Sequence, residues 1–457
     1  MKWWLFSKQE EYDEKSFPYL AVLIFYIAVV LICIGIRAVT WPGNKHVDID
    51  FLVESVLLPV IIMTVLVQIF CIITNGIRHY TETRLLIAAR QEYKVVSYAR
   101  SRIKIAGWSV LTPTADLGLN MLKLEGEFPL APKMLSKIDM PDSFELTRNG
   151  LAFSRLLGPL ADKLKQSQYR GFESAVWVRG ADDSCCDELR RVFDGLAITG
   201  DSITFLPECP DYTQLTEWIK EAKNFDLSRL LICVDLHSEE GESKGMENAT
   251  ALLFTNGYAK AEGEKSVYLY QPMTDITDVE AALPIYLQVE PVSKPKILWY
   301  TGLSRTEKYP LLEVLDDKKV TPDRLELEIS LGEHSAGYRW LALALASDAV
   351  TYAQGDQLVA ASQDNHFSIT ALSSRLSGQP AYPAEKIYSS PLSAGGCAGL
   401  MLFLSIVMGI GRFGDDKIVT GWFIVIALLT TLVPLLAMGA FFTWFYGDMA
   451  EKHMWGK

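Results

Sequence analysis

Four apolar runs decide what this chain of 457 residues can become. Two lie near the N-terminus: Tyr19 to Ile36 (YLAVLIFYIAVVLICIGI), and Phe51 to Thr74, which carries one acid, Glu54, close to its start. Two lie near the C-terminus, at residues 394–410 and 418–446. A helix of about 20 such residues crosses the hydrocarbon core of a bilayer. The runs therefore predict four transmembrane helices, arranged as two hairpins around an ordinary globular middle. The first run is long, follows an acidic tail and has no small-residue cleavage site behind it, which argues against a removed signal peptide.

Lys and Arg gather behind the second run, where Arg78, Arg84, Arg90, Lys94, Arg100, Arg102 and Lys104 face only Glu82 and Glu92. The hairpin loops WPGNKHVDID and GRFGDDK are poorer in positive charge. The positive-inside rule then puts both termini and the middle in the cytoplasm, and the basic stretch suits an anionic leaflet. This gives a cytoplasmic tail (1–18), a first transmembrane hairpin (19–76), a basic juxtamembrane helix (77–102), a cytoplasmic domain (103–388), a second hairpin (389–447) and a cytoplasmic tail (448–457). No pair of opposite charges is expected within the spans, and Arg37 can snorkel to the interface. The spans read as anchors in the lipid bilayer rather than as a transport path. Gly395 and Gly399 form a small-xxx-small pair suited to close helix packing.

The formal charge of −12 belongs mostly to the middle of the chain and argues against a nucleic-acid role. Seven cysteines, an odd number without CxxC spacing or a His at ligand distance, argue against a disulfide framework and a zinc site. No metal and no cofactor are expected.

From residue 103 to about 380, strand and helix patterns alternate. RIKIAGWSVLT reads as a strand, TADLGLNMLKLEGE as a Thr-capped helix, SFELTRNGLAFSRLLGPLADKLKQ as a longer helix, and SAVWVRG as a strand. CDELRRVFDGL is a helix and SRLLICVDLH an apolar strand of the kind buried on both faces. ATALLFTNGY and KSVYLYQPM are further strands, and a second α/β set runs from KILWYTG to HFSITALSS. Two successive sets imply a layered α/β domain. Cys209 stands just before an amphipathic helix in FLPECPDYTQLTEWIKEAKNF. It is either a nucleophile whose thiolate the helix N-terminus stabilises or a small apolar residue in a turn.

Taken in order, these segments resemble the thiolase-like superfamily, as a divergent β-ketoacyl synthase-like domain. RIKIAGWSVLTPTADLGLNMLKLEGE is similar to the opening strand, turn and helix of β-ketoacyl synthases. The stretch around Cys209 looks like their nucleophile segment, with VDLH in place of a Gly-Gly turn. LEISLGEHSAGYRWLALALA resembles the Lys-Ser-x-x-Gly-His segment, and GDQLVAASQDNHFSITAL the last strand pair. The resemblance covers about 280 residues and implies an α-β-α-β-α layered fold. For chemistry it implies a thiolate at Cys209 and a histidine at His334. The second histidine falls on Tyr300 or Thr301, the lysine on Ile329, and only Ser330 and His334 survive from that motif. SQDNHF replaces a glycine-rich turn, and Pro210 removes an N–H beside the thiol.

The half-present site implies a membrane-anchored, non-catalytic module acting as an accessory or adaptor at the bacterial inner membrane. It would hold a protein partner or an acyl chain, and an association with type VI secretion is suggested by analogy alone. The alternative is a Cys-dependent acyltransferase or β-ketoacyl synthase-like condensing enzyme acting on acyl thioesters. By analogy a homodimer could form through SAVWVRG, while membrane tethering at both ends could equally leave the chain monomeric.

Overall fold

The computed structural model describes residues 3–8, 19–43, 46–141, 146–167, 172–200, 202–221, 227–237, 244–255, 265–274, 276, 278–363, 366–385, 389–413 and 421–456. The chain forms two compact units, Leu5–Tyr93 with Ala381–Lys457, and Lys94–Pro380 with Met1–Trp4. Four helices are long and apolar enough to span a bilayer, as the runs require. A helix satisfies its own backbone groups, which hydrocarbon cannot.

Helix α1 covers Tyr19–Thr40. Helix α2 (Ile49–Leu52) is capped by the Asp48 carboxylate, which accepts from the N–H groups of Asp50 and Phe51. It passes through a π-helical turn, Val53–Leu57, into α3 (Leu58–Ala99). Two expectations are corrected here. The basic stretch is not a separate element over 77–102, because the second span continues without a break to Ala99. A pair of opposite charges does exist beside the spans: Glu54, its side chain 6% exposed, is ion-paired with Arg37. The Arg37 guanidinium also lies 5.5 Å over the Trp41 ring. Seventeen residues separate the partners, so the hairpin, not local sequence, brings them together.

The first half of the α/β unit runs β1 (Arg102–Leu111), α4 (Leu117–Met121), α5 (Arg148–Leu157), α6 (Ala161–Ser167), β2 (Phe172–Val178), α7 (Cys185–Gly195), β3 (Ser202–Phe205), α8 (Thr213–Glu221), β4 (Ser228–Asp235) and β5 (Asn248–Thr255). The second half runs β6 (Val267–Tyr270), α9 (Val279–Tyr286), β7 (Ile297–Thr301), α10 (Arg305–Asp317), β8 (Asp323–Glu326), α11 (Leu327–Leu331), α12 (Tyr338–Thr351), β9 (Gln357–Gln363) and β10 (His366–Ser373). The sheet order is β3-β2-β4-β5-β1-β6-β10-β9-β7-β8. Numbered within its half, each set has the order third, second, fourth, fifth, first. Parallel pairs join the same positions, and an antiparallel β1–β6 pair joins the halves.

Period-two alternation sorts the side chains into layers. Leu231, Cys233, Leu252 and Phe254 from one half, and Trp299, Val359 and Ala361 from the other, share one core with α12. From Trp340 to Ala346 that helix is buried on every side, the mark of a central helix. The opposite face of the first half packs Leu230, Ile232 and Val234 on Phe153, Leu189 and Phe193 from α5 and α7. That of the second half packs Leu298, Tyr300 and Leu358 on Leu283, Leu311 and Leu315 from α9 and α10. The result is the α-β-α-β-α layering that the resemblance implies.

Several local expectations change. The helix after β1 is confined to Leu117–Met121, with Asp116 before it in the left-handed region at φ 51°. The longer helix is broken at Gly158-Pro159 by a 3-10 turn, while residues 142–145 of that segment lie outside the described residues. Strand β3 was not foreseen. SAVWVRG cannot be a free dimerisation strand, since β2 is flanked by β3 and β4 and the sheet ends at β3 and β8.

Helices α13 (Pro391–Phe413) and α14 (Gly421–Trp455) form the second hairpin. A Cβ on Gly399 would lie 2.9 Å from Leu432 Cα, and one on Gly395 would collide with the Leu435 carbonyl. The small-residue pair thus serves packing within its own hairpin. Gly76 of α3 likewise makes room for the Tyr446 ring.

Candidate functional site

The candidate residues gather where β4, β5 and β7 meet the start of α12. The chain enters the sheet at Arg102, opposite Tyr270, and leaves at Ser373, opposite Tyr268. Asp235, Asn248 and Thr301 stand at the other end of their strands, where Leu111 of β1 pairs with Ala249. The length of β1, ten residues at about 3.3 Å each, separates the two ends by about 30 Å.

Cys209 lies four residues before α8 and is buried, with its thiol donating to the Ala336 carbonyl at 3.3 Å. The neighbouring Pro210 carbonyl accepts from Arg339 Nη1 at 3.1 Å and Trp340 Nε1 at 2.9 Å. Both bonds fasten the loop to α12. The start of α8 already has an anion: Asp211 accepts from the Thr213 N–H at 2.9 Å. A helix N-terminus favours one negative group most strongly within its first turn, and here the Asp211 carboxylate holds that place. The thiol of Cys233 is pushed well above its ordinary value by burial and then by its contact with Cys209. The two thiols thus lie beside the fully buried Tyr212, whose hydroxyl donates to the Arg339 carbonyl at 2.8 Å.

His334 faces elsewhere. Its Nδ1 is 3.1 Å from Glu328 Oε1 and 3.4 Å from Thr301 Oγ1. Glu328 also accepts from Thr301 Oγ1 and from the Gly302 N–H, each at 2.7 Å. Burial alone would raise the Glu328 carboxyl, but these bonds outweigh it and hold the group below its ordinary value. Gly302 has φ +67°, and a Cβ there would lie 2.7 Å from His334 Cε1, so glycine is what admits the ring. Cys209 and His334 share no hydrogen bond. Cys209 bonds instead to Ala336, which a single residue, Ser335, separates from His334.

The pleat decides between Tyr300 and Thr301. Tyr300 points to the outer layer, where its hydroxyl donates to Glu326 Oε2 at 3.1 Å and Lys308 Nζ sits 5.1 Å from the ring centre. Thr301 points to His334. Ile329 is 57% exposed, and its carbonyl accepts from the Ala131 N–H at 3.1 Å. Ser330 is fully buried, and its hydroxyl finds no partner among the described residues. In the SQDNHF turn, Asp364 and Asn365 lie outside the described residues.

The structure adds residues that the sequence reading passed over. In the VDLH turn, Asp235 is fully buried, ion-paired with Arg179 and bonded to the Ser335 hydroxyl, and it accepts from the Gly337 N–H at 2.9 Å. Arg179 Nη2 donates to Ser335 Oγ at 2.8 Å. One carboxylate therefore ties β4 and β2 to the loop between His334 and α12. The available signal was an acid ending the apolar strand LLICVD, where an unpaired charge would be costly. Asn248 and Thr250 face the same pocket, buried and without partners among the described residues. Among the described residues no group of three or more His, Cys, Asp or Glu side chains is disposed to hold a metal ion.

No protein-family model and no curated protein matches the chain. Among solved structures it is similar to a type II polyketide ketosynthase in complex with its acyl-carrier protein, with a TM-score of 0.45 at 12% identity, covering 60% of this chain and 99% of that one. It is also similar to the ishigamide ketosynthase/chain length factor, with 0.39 at 13% over 61% and 100%. The peroxisomal 3-ketoacyl-CoA thiolase of Saccharomyces cerevisiae, described as a five-layered α-β-α-β-α structure of two core domains of identical topology, gives 0.38 at 9% over 60% and 98%. Likeness at this level carries no argument about chemistry. The strand order and layering above are what define the fold.

Proposed function

We propose that this is a membrane-anchored, non-catalytic α/β module that holds a protein partner. The observation that carries the reading is the state of Cys209: buried, donating to Ala336, and without a hydrogen bond to His334. A nucleophilic thiol needs a base within reach or a cation beside it. Here the base candidate is engaged by Glu328 and Thr301, and Asp211 holds the helix N-terminus. The Asp235 bonds to Ser335 and Gly337 brace the same loop against rearrangement. An inner-membrane setting with both termini cytoplasmic is part of the proposal and rests on the basic residues from Arg78 to Lys104. No residue speaks for a secretion system, and the proposal is made without one.

The test is transacylation. The full chain in detergent or nanodiscs, given long-chain acyl-CoA and acyl-carrier thioesters, is expected to release thiol at the uncatalysed rate and to carry no acyl group on Cys209 by mass spectrometry. The competing reading, a Cys-dependent acyltransferase or condensing enzyme, has one observation in its favour. Cys209 and His334 approach the same loop, so a shift of residues 334–337 could bring them together. Turnover abolished by both Cys209→Ser and His334→Ala would establish that reading.

A further inference from the structure

Within the unit that carries the four long helices, α3 runs on past Thr74, where its apolar run ends, and the segment leading into α13 lies against it. Three contacts pin that segment. The Tyr382 ring meets the Tyr93 ring edge to face at 5.1 Å between centroids, Glu385 is ion-paired with Arg90 at 2.7 Å, and Ser389 Oγ accepts from Asn75 Nδ2 at 3.1 Å. Between the pins is a cleft of about 380 Å³, and sites for small ligands run from about 300 to 1,000 Å³. Leu86 and Pro383 give it apolar walls, and His79, Glu82 and Thr83 line its end nearer the apolar run. Steps of three and four residues put these three side chains on one side of the helix. His79 follows Thr74 by five residues, about 7 Å of helix rise. The headgroup layer beyond the hydrocarbon is about 5–8 Å deep on each side, so this end of the cleft opens at headgroup depth. The Arg90–Glu385 pair closes the other end.

We infer that the cleft holds one phospholipid headgroup of the ethanolamine type, its phosphate reaching His79 and Thr83 and its primary ammonium reaching Glu82. The inference rests on the membrane-anchored part of the reading above and names the lipid class that the anchor selects. An imidazole N–H and a hydroxyl are donors that a phosphate oxygen accepts from, and a carboxylate beside them calls for a donor on the same ligand. A primary ammonium carries three such donors. A choline headgroup carries none, and a glycerol headgroup brings no cation to Glu82. The contacts to Tyr93, Arg90 and Asn75 hold both walls of the cleft in place, which reduces the ordering cost of binding.

The probe is the full chain in nanodiscs of equal parts phosphatidylethanolamine, phosphatidylglycerol and phosphatidylcholine with matched acyl chains, released into native mass spectrometry. One ethanolamine lipid is expected to stay bound at least fivefold more often than either of the others. Glu82→Gln should bring the three lipids within twofold of one another, and Thr83→Val should lower retention of the ethanolamine lipid at least threefold, each with the melting temperature unchanged. Retention in proportion to bilayer composition, or a preference for the glycerol lipid, overturns the inference. So does an ethanolamine preference that neither variant alters. A chain that stays in the aqueous phase without detergent would sink the anchored reading itself, whereas even retention by an inserted chain sinks only the site.

Discussion

Asp235 and Arg179 meet as an ion pair between a fully buried carboxylate and a guanidinium whose side chain is 38% exposed. Because the carboxylate also receives Ser335 and the Gly337 N–H, this pair fixes the loop on which His334 and Ala336 sit. Breaking a buried pair from one side leaves the other charge unmatched, at about 3–5 kcal/mol, and partial exposure of the survivor lowers that figure. Asp235→Ala is expected to cost about 3 kcal/mol and Arg179→Ala somewhat more, since it strands the deeper charge. The double variant should cost less than their sum. Denaturant midpoints of the full chain in detergent decide this; additive losses would show that the residues act independently.

Asp348 gives the fold a pH dependence. Burial first, and Asp116 second, raise its carboxyl to about 6, against the lowering effect of Trp108 Nε1, which donates to it at 2.7 Å. In an unfolded chain Asp titrates near 3.9. The folded state therefore binds the extra proton, so stability falls as pH rises from about 4 to about 6 and levels off above. Two units correspond to about 3 kcal/mol at most. Asp348→Asn keeps an acceptor for Trp108 and should be the more stable form at pH 7, with the two proteins converging near pH 4. Denaturation midpoints across pH, with Trp108 fluorescence as local reporter, measure it. A wild-type protein that gains stability from pH 4 to 6 relative to the variant would contradict the assignment.

The second hairpin depends on α13 and α14 touching backbone to backbone. Gly399→Leu should lower the melting temperature in detergent by several degrees, since overpacking costs about 1–3 kcal/mol. Gly409 has nothing within 4 Å of an added Cβ, so Gly409→Leu should be near neutral. Equal effects would mean that the contact is not what holds the hairpin.

A reporter fused after Gly43 should be active only when exported, while fusions at either terminus should report the cytoplasm. The reverse pattern would overturn the orientation read from Arg78 to Lys104.

The fold was largely legible because its signals are local. Runs of 17 or more apolar residues need no partner to be recognised, and the strand RIKIAGWSVL or the buried run SRLLICVD shows its period within a few residues. What escaped was short or long-range. Strand β3 has four residues and alternates exposed with half-buried, so it leaves almost no apolar signature. Arg37 and Glu54 are neighbours only once a hairpin forms. At the site, order along the chain aligned Cys209 and His334 with a catalytic pattern, yet no sequence feature told which way either side chain would turn. Their partners, Ala336 and Glu328, are set by packing against α12 and the glycine at 302.

The most direct test of the central claim is the alkylation rate of Cys209 in the folded full chain, followed by iodoacetamide and peptide mass spectrometry across pH, with Cys209→Ser as control. A thiol sealed against Ala336 should label far more slowly than the same cysteine in the denatured chain, without protection by a long-chain acyl thioester. Fast labelling near neutral pH that an acyl thioester blocks would mean a reactive thiolate in an acyl pocket, and would contradict the account.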